Sequence, residues 1–589
     1  MPEKFRPFRK ITSLRDLLVF DKPVKNKSRI RINKAPYYAE ICLLVTLRCS
    51  DQDLFSGDGQ TLVDAVTNRG YGWRLGLSPH GYLRFEDYHP DHKKRRCLDS
   101  HIPVHAVADT RQAFQAGICM PGGAWLYRKA PNAAEIGTGR LRFFVISGPG
   151  RRISEIGGED NIDRRFMNPV PECMSVGKNA GGGHEFSGRI ERVAVYNTCR
   201  LELFDGLPRT SAGKFLPLTP GGSSFCPRWA DRETIEVFTC PEFTSTESYW
   251  VYLALRKMPS ACRRLRVWTA WRATSMTPRF FFSVDGKRWE RLIPARVDMR
   301  AGDGRNFYAE FDVAGKLRRG GFLANCPPFT EKHREALLDW AAGQPGVTVR
   351  RIGKSVEGRP IHVIRAGRGK DGPSRFGAAV ICGQHSPMEI MGGHVLRPIL
   401  EKMIQHPFLL DYGNFYFVPT VNVDCQHYGG NGLNANRRNT NRCWSRDLQP
   451  ETIACIKYFN ALKAAGQRFE LAIDIHAGGT FRNHLLFSMG NSKKARLSAG
   501  AARRQEAWRD LLEKHAGIRR ADGRIMAQQD LRATDYFHQV HGAVAFCLEL
   551  STCSYFDPLQ KKTRPFGQET FEVLAGGLVN AWVDWVGNQ

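Results

Sequence analysis

The sequence predicts a multidomain chain: two β-sandwiches, then an α/β domain on a mixed, largely parallel sheet. Three observations predict it. At 589 residues the chain is too long for one hydrophobic core. Its first half reads as short β-rich runs cut by glycine, a rhythm in which each strand must turn back and pair with a neighbour. After Val347 the texture changes to apolar strands alternating with amphipathic helices, which implies parallel strands with helices on both faces.

The elements follow in order. Residues 1–34 read as a basic arm, a broken pattern with neither an apolar core nor a small-residue cleavage site. Over 35–205 the strand runs include 38–48, 125–128 and 141–146, and they predict the first sandwich. A Pro/Gly/Ser-rich joint at 217–227 leads to a second β-rich block, 218–328. Within it, Phe280-Phe281-Phe282-Ser283-Val284 meets Asp285-Gly286 and predicts a hairpin. The third domain spans 329–589 and opens with a helix that Thr330 can cap, burying Leu337, Leu338, Trp340 and Ala341. Strands near 378–382, 415–419 and 471–475 alternate with helices near 388–405 and 451–465, and a late apolar run occupies 544–550.

Composition narrows the function. Hydrophobic residues make up 42%, enough to fill several cores, yet no apolar stretch is long enough to span a membrane, so a soluble, cytoplasmic protein is expected. The 16 cysteines form no C-x-x-C pair and many sit in apolar runs, which predicts small buried hydrophobes in a reducing compartment. A net charge of +28 suits an acidic partner. The dense basic runs Lys93-Lys94-Arg95-Arg96 and Arg263-Arg264-Leu265-Arg266 belong to no nucleic-acid module. They read as solvated loops, and specific nucleic-acid binding is not expected.

In open α/β sheets, active sites lie beyond the carboxyl ends of the strands. There the sequence places His385 and Glu389, then His476, then Glu549 in an otherwise apolar run. A catalytic zinc wants two or three nitrogen or oxygen ligands and an open position, and hydrolysis wants a carboxylate beside it. A buried, unpaired carboxylate costs several kcal/mol, so Glu549 needs a metal or a cation.

Five motifs in order carry a resemblance. They are Gln384-His385-Ser386-Pro387-Met388-Glu389, Pro419-Thr420-Val421-Asn422-Val423-Asp424, Asn439-Thr440-Asn441-Arg442-Cys443-Trp444, Asp474-Ile475-His476-Ala477-Gly478 and Leu548-Glu549-Leu550. This series resembles the zinc metallocarboxypeptidase family, in particular its cytosolic branch. The block over 218–328, with its hairpin and its Pro-Pro-Phe-Thr passage, resembles the small β-sandwich that precedes the catalytic domain in that branch. The run Phe186-Ser187-Gly188-Arg189-Ile190 continuing to Tyr196-Asn197 resembles the last strand of laminin-G or concanavalin-A-like jelly rolls, so the first sandwich is expected to be a jelly roll.

The resemblance implies one zinc ion held by His385, Glu389 and His476, with Glu549 as general base. It implies that Asn441 and Arg442 hold the terminal carboxylate of a peptide or protein substrate, an acidic chain end being favoured. The chain departs from the family in several places. Its first motif is His-x-x-x-Glu, one residue longer than usual. Asn439 replaces the aspartate that supports a zinc histidine. The family's carbonyl-polarising arginine aligns with Gly432, with Arg437 and Arg438 as stand-ins, and Tyr536 is the nearest candidate for the substrate tyrosine. Two other readings stay open: a zinc amidohydrolase acting on small acyl amino acids or cell-wall peptides, and a degenerate peptidase fold whose jelly roll binds a glycan or a protein.

Overall fold

The computed structural model describes residues 18–25, 29–31, 40–54, 59–66, 72–88, 96–121, 138–147, 152–163, 173–178, 184–196, 212–219, 222–240, 250–270, 279–298, 306–368, 374, 376–384, 389–429, 434–436, 438–479, 483–488, 498–520 and 532–588. The strand expected at 125–128, the first 17 residues of the basic arm and most of the run at 93–96 lie outside them.

The first sandwich pairs two antiparallel sheets. One orders Leu18–Pro23, Arg189–Tyr196, Glu40–Arg48, Phe114–Pro121, Thr138–Ser147 and Arg152–Asp163. The other orders Arg29–Arg31, Cys173–Val176, Gln60–Asp64, Gly72–Leu77, Leu83–Tyr88 and Arg96–Asp99. Strand alternation sends Leu43, Val45 and Leu47 inward to share a core with Trp73, Leu75 and Leu77. On the opposite face Arg74 clamps Asp64 and Glu86 at 3.2 and 3.1 Å. The arm expected over 1–34 needs correcting, because Leu18–Pro23 is a strand paired antiparallel with Arg189–Tyr196. A strand carrying Leu18, Val19 and Phe20 beside a central partner belongs to the domain, not to a tail.

The second sandwich has a five-stranded sheet (Ser224–Trp229, Thr234–Cys240, Arg264–Ala270, Asn306–Asp312, Arg296–Asp298) facing a four-stranded one (Tyr252–Leu255, Gly321–Ala324, Phe280–Ser283, Glu290–Leu292). Thr234–Cys240 and Arg264–Ala270 run parallel. The basic run at 263–266 is not a solvated loop. Leu265 points into the core, while Arg266 turns to Glu236 and Glu310, both at 2.7 Å, so acidic neighbours neutralise the strand's outer face.

The expected hairpin forms between Phe280–Ser283 and Glu290–Leu292, with Gly286 at φ +75° in its turn. Phe280 and Phe282 enter the sandwich core, and alternation sends Phe281 the other way. Phe281 meets the Phe566 ring edge-on at 5.5 Å, and Arg279 Nη1 donates to the Cys553 carbonyl at 2.7 Å. The sandwich and the α/β domain are thus welded by one continuous apolar core.

Eight strands form the α/β sheet: β1 (Val347–Lys354), β2 (Pro360–Ala366), β3 (Phe376–Cys382), β4 (Gly413–Val418), β5 (Leu471–Gly479), β6 (Leu485–Ser488), β7 (Arg519–Arg520) and β8 (Val544–Ser551), in the order β1-β2-β4-β3-β5-β8-β6-β7. The centre is parallel, since β3 pairs with β4 and β5, and β5 with β8. Antiparallel pairings of β1 with β2, β2 with β4 and β6 with β8, and the parallel pairing of β7 with β6, complete the mixed sheet. Helices cover both faces: Phe415 and Phe417 meet Leu396, Trp508 and Trp582 on one side, and Tyr416 and Val418 meet Phe459 and Phe537 on the other. That double cover is why all of β3 is apolar and buried. The helix Glu331–Ala342 begins where Thr330 and His333 cap each other, as its sequence predicts.

Among the described residues every free cysteine except Cys97 is buried, and no helix is long and apolar enough to cross a membrane.

Candidate metal and peptidase site

The site gathers at the carboxyl ends of β3, β5 and β8. After β3 the chain turns at Gly383 (φ +63°), where a side chain would press on Thr420. Gln384 follows, fully buried. His385, Gly432 and Arg437 lie outside the described residues. Glu389 opens a 3-10 helix, Glu389–Val395, and this tight turn directly after the first motif brings its carboxylate inward. His476 projects from the end of β5, and its Nδ1 lies 2.8 Å from Glu389 Oε2. Two of the residues expected to share a metal are therefore in contact, although 87 positions separate them.

Glu549 sits on β8 in register with His476, and two residues paired across parallel strands project to the same face. Glu549 is partly buried, and Cys547 Sγ donates to its Oε1 at 3.9 Å. Asn441 and Arg442 lie in the 3-10 turn Thr440–Arg442. Asn441 is 5% exposed and its Oδ1 has no partner among the described residues, while Arg442 Nη1 donates to the Asn441 carbonyl at 3.0 Å. Arg438 is exposed in the loop ahead, its backbone N–H held by Asn434 Oδ1 at 2.9 Å.

One expectation is corrected. Tyr536 is buried in the core it shares with Phe459 and Phe537, and its hydroxyl meets Asn460 Oδ1 at 2.8 Å, the Ile456 carbonyl at 3.3 Å and His541 Nε2 at 3.0 Å. A hydroxyl so engaged is not presented to a substrate. Asn439 turns its Oδ1 to the Asn441 N–H at 3.0 Å, acting as the cap of the 3-10 turn. His476 has its own carboxylate support, Asp474, whose Oδ2 lies 3.0 Å from His476 Nε2.

Asp474 was legible in principle. In a strand, residues two apart share a face, so Asp-x-His places the carboxylate beside the ring. Burial, the largest influence on His476, pulls its pKa down. The charges of Asp474, Cys547 and Glu389 overcome that pull and hold it well above the ordinary histidine range.

The two described donors, a nitrogen and an oxygen, are of the kind zinc takes; among the described residues no group of three His, Cys, Asp or Glu side chains gathers to hold a metal, and the third expected ligand, His385, lies outside them. A histidine nitrogen and a carboxylate oxygen face each other in a site where both side chains are at least nine-tenths buried. With Nε2 turned to a carboxylate, Nδ1 of a neutral ring carries a lone pair. That lone pair beside Glu389 calls for a cation between them, either a proton or a metal.

Residues 335–573 match the zinc carboxypeptidase family, so this segment is a metallocarboxypeptidase domain and the enzyme class is that of a hydrolase. Among solved structures, the metallo-carboxypeptidase of Burkholderia cenocepacia is similar at 18% identity and a TM-score of 0.53, over 64% of this chain and 99% of that one. A metallo-carboxypeptidase from Pseudomonas aeruginosa, in complex with (2-guanidinoethylmercapto)succinic acid, is similar at 19% identity and a TM-score of 0.52, over 62% of this chain and 97% of that one. At these identities the likeness is one of fold. It covers more of the chain than the stretch from 335 onward can supply, so it reaches into the residues ahead of that domain. A search of curated proteins finds no significant match.

Proposed function

We propose that this domain removes C-terminal residues from peptides or proteins, with one zinc ion held by His385, Glu389 and His476. The observation that carries the reading is the 2.8 Å contact between Glu389 and His476, with Glu549 in register on the next strand. When bound, zinc would polarise the scissile carbonyl and acidify a water. Glu549 takes a proton from the attacking water and returns it to the leaving amine, as a carboxylate at the rim of the site can. Asn441 and Arg442 hold the chain's terminal carboxylate, the guanidinium offering two parallel N–H donors. Asn441 would serve through its amide N–H donors, since its Oδ1 can only accept. The net charge of +28 draws acidic chain ends toward the protein.

The test incubates the full chain with a library of peptides varied at their C-termini and reads the products by mass spectrometry, beside Glu549→Gln. Release of single C-terminal residues by wild type and a loss of about 10²–10⁴-fold in the variant are expected. Release that persists unchanged in Glu549→Gln removes Glu549 from the reaction. Cleavage of acyl amino acids without any peptide trimming replaces the carboxypeptidase reading with the amidohydrolase one.

A further inference from the structure

Gln384 stands at a junction that the reaction as proposed does not use. It is 0% exposed and every polar group of its side chain is engaged. Trp444 Nε1 donates to Gln384 Oε1 at 2.7 Å, and Gln384 Nε2 donates to Asp474 Oδ2 at 2.6 Å. Its backbone carbonyl accepts from Thr440 Oγ1. Trp444 and Thr440 flank Asn441 and Arg442, Asp474 touches His476, and Gln384 itself directly precedes His385.

The direction of each bond in this chain follows from chemistry. An indole N–H can only donate, so the amide atom facing Trp444 is the oxygen. The amide nitrogen must then face Asp474, and Asp474 Oδ2 is an acceptor. That same oxygen lies 3.0 Å from His476 Nε2, and the contact is a hydrogen bond only if Nε2 carries the proton. A neutral His476 is left with its lone pair on Nδ1, the nitrogen that faces Glu389.

We infer that Gln384 is a positioning residue: the relay Trp444–Gln384–Asp474 fixes His476 in the tautomer that offers Nδ1 to the metal and ties the Asn441–Arg442 turn to that metal site. The inference rests on the zinc reading above. The relay works by orientation. Trp444 prevents the amide from inverting, and an inverted amide would set its oxygen against the Asp474 carboxylate. Outer partners of metal-bound histidines act in this way on affinity.

The experiment measures zinc affinity of the full chain by chelator competition, and the visible spectrum after cobalt substitution, for wild type, Gln384→Met and Trp444→Phe. Methionine keeps the volume of glutamine and removes both hydrogen bonds, and phenylalanine keeps a ring and removes the indole donor. Wild type should bind one zinc. Gln384→Met should bind it about 10–100-fold more weakly with an altered cobalt spectrum, and Trp444→Phe should weaken it in the same direction. A residue that merely fills space would leave the cobalt bands unmoved. Both variants matching wild type in affinity and spectrum overturn the relay while leaving the zinc reading intact. A wild-type chain that binds no zinc overturns the zinc reading itself. Should Gln384→Met fail to fold, Trp444→Phe alone decides, because the amide and the carboxylate both remain in place.

Discussion

The 3-10 helix that opens with Glu389 is braced by Phe329, at the start of the α/β domain, and Gly393→Ala is predicted to expose that brace. An alanine Cβ at 393 would lie within 2.7 Å of Phe329 Cζ, and closer still to Cδ1 and Cε1 of the same ring. Phe329 has little room to yield. It is 5% exposed, its ring meets His394 edge-on at 5.1 Å, and its carbonyl accepts from Gln426 Nε2 at 2.7 Å. Overpacking a filled site of this kind costs about 1–3 kcal/mol. Alanine recovers roughly 0.4–1 kcal/mol by restricting the unfolded chain, leaving a net loss of about 1–2 kcal/mol. Urea denaturation of the full chain, followed through the transition of the α/β domain, should show that loss. The Phe329→Leu background should relieve it, with a coupling of about 0.5 kcal/mol or more between the two changes. Gly393→Ala at wild-type stability, or strict additivity with Phe329→Leu, refutes the claim that Phe329 wedges the Glu389 helix.

Three further outcomes are expected. His484 is buried, its Nδ1 accepts from the Ser551 N–H at 3.0 Å, and burial pushes its pKa down to about 4. It therefore stays neutral in the fold while the unfolded chain takes up a proton below about pH 6.5. Stability falls as pH drops from about 6.5 toward 4, by about 2 kcal/mol at pH 5 from this residue. Denaturation midpoints at pH 8 and pH 5 should differ less in His484→Gln than in wild type, and an equal drop in both clears His484 of the effect. Arg442→Lys should lower kcat/KM by roughly 10-fold or more on peptides with a free C-terminus, because a single ammonium cannot match a paired contact to a carboxylate. An unchanged ratio against C-terminally amidated peptides would place carboxylate recognition elsewhere. Removing metal with a chelator should abolish hydrolysis and lower the thermal midpoint of the α/β domain, both returning with zinc; full activity in the chelated protein argues against a metal-dependent reaction.

What could be read from the sequence was what depends on period and strand ends. The apolar run of β3, the capping Thr330 and the placing of His476 and Glu549 on late apolar strands all follow from local pattern. Features that depend on which residues meet across the fold stayed hidden. Nothing local distinguishes Phe281 from Phe280 and Phe282, yet alternation sends it into a different core and joins two domains. The basic run at 263–266 looked like a loop because the acidic partners that make it a strand lie 30 and 44 positions from Arg266. Tyr536 was the nearest tyrosine by position, but the face of the helix that carries it decides its role, and that face turns toward Phe459 and Phe537. Gln384 carried no sequence signal at all, since an amide next to a histidine means little until its two partners are known.

The most direct measurement is anomalous diffraction at the zinc edge from crystals grown with zinc. A single peak bonded to His476 Nδ1, Glu389 and His385, with the Glu549 carboxylate beside it, is the predicted result. A peak bonded to His476 through Nε2, or zinc bound away from these side chains, contradicts it.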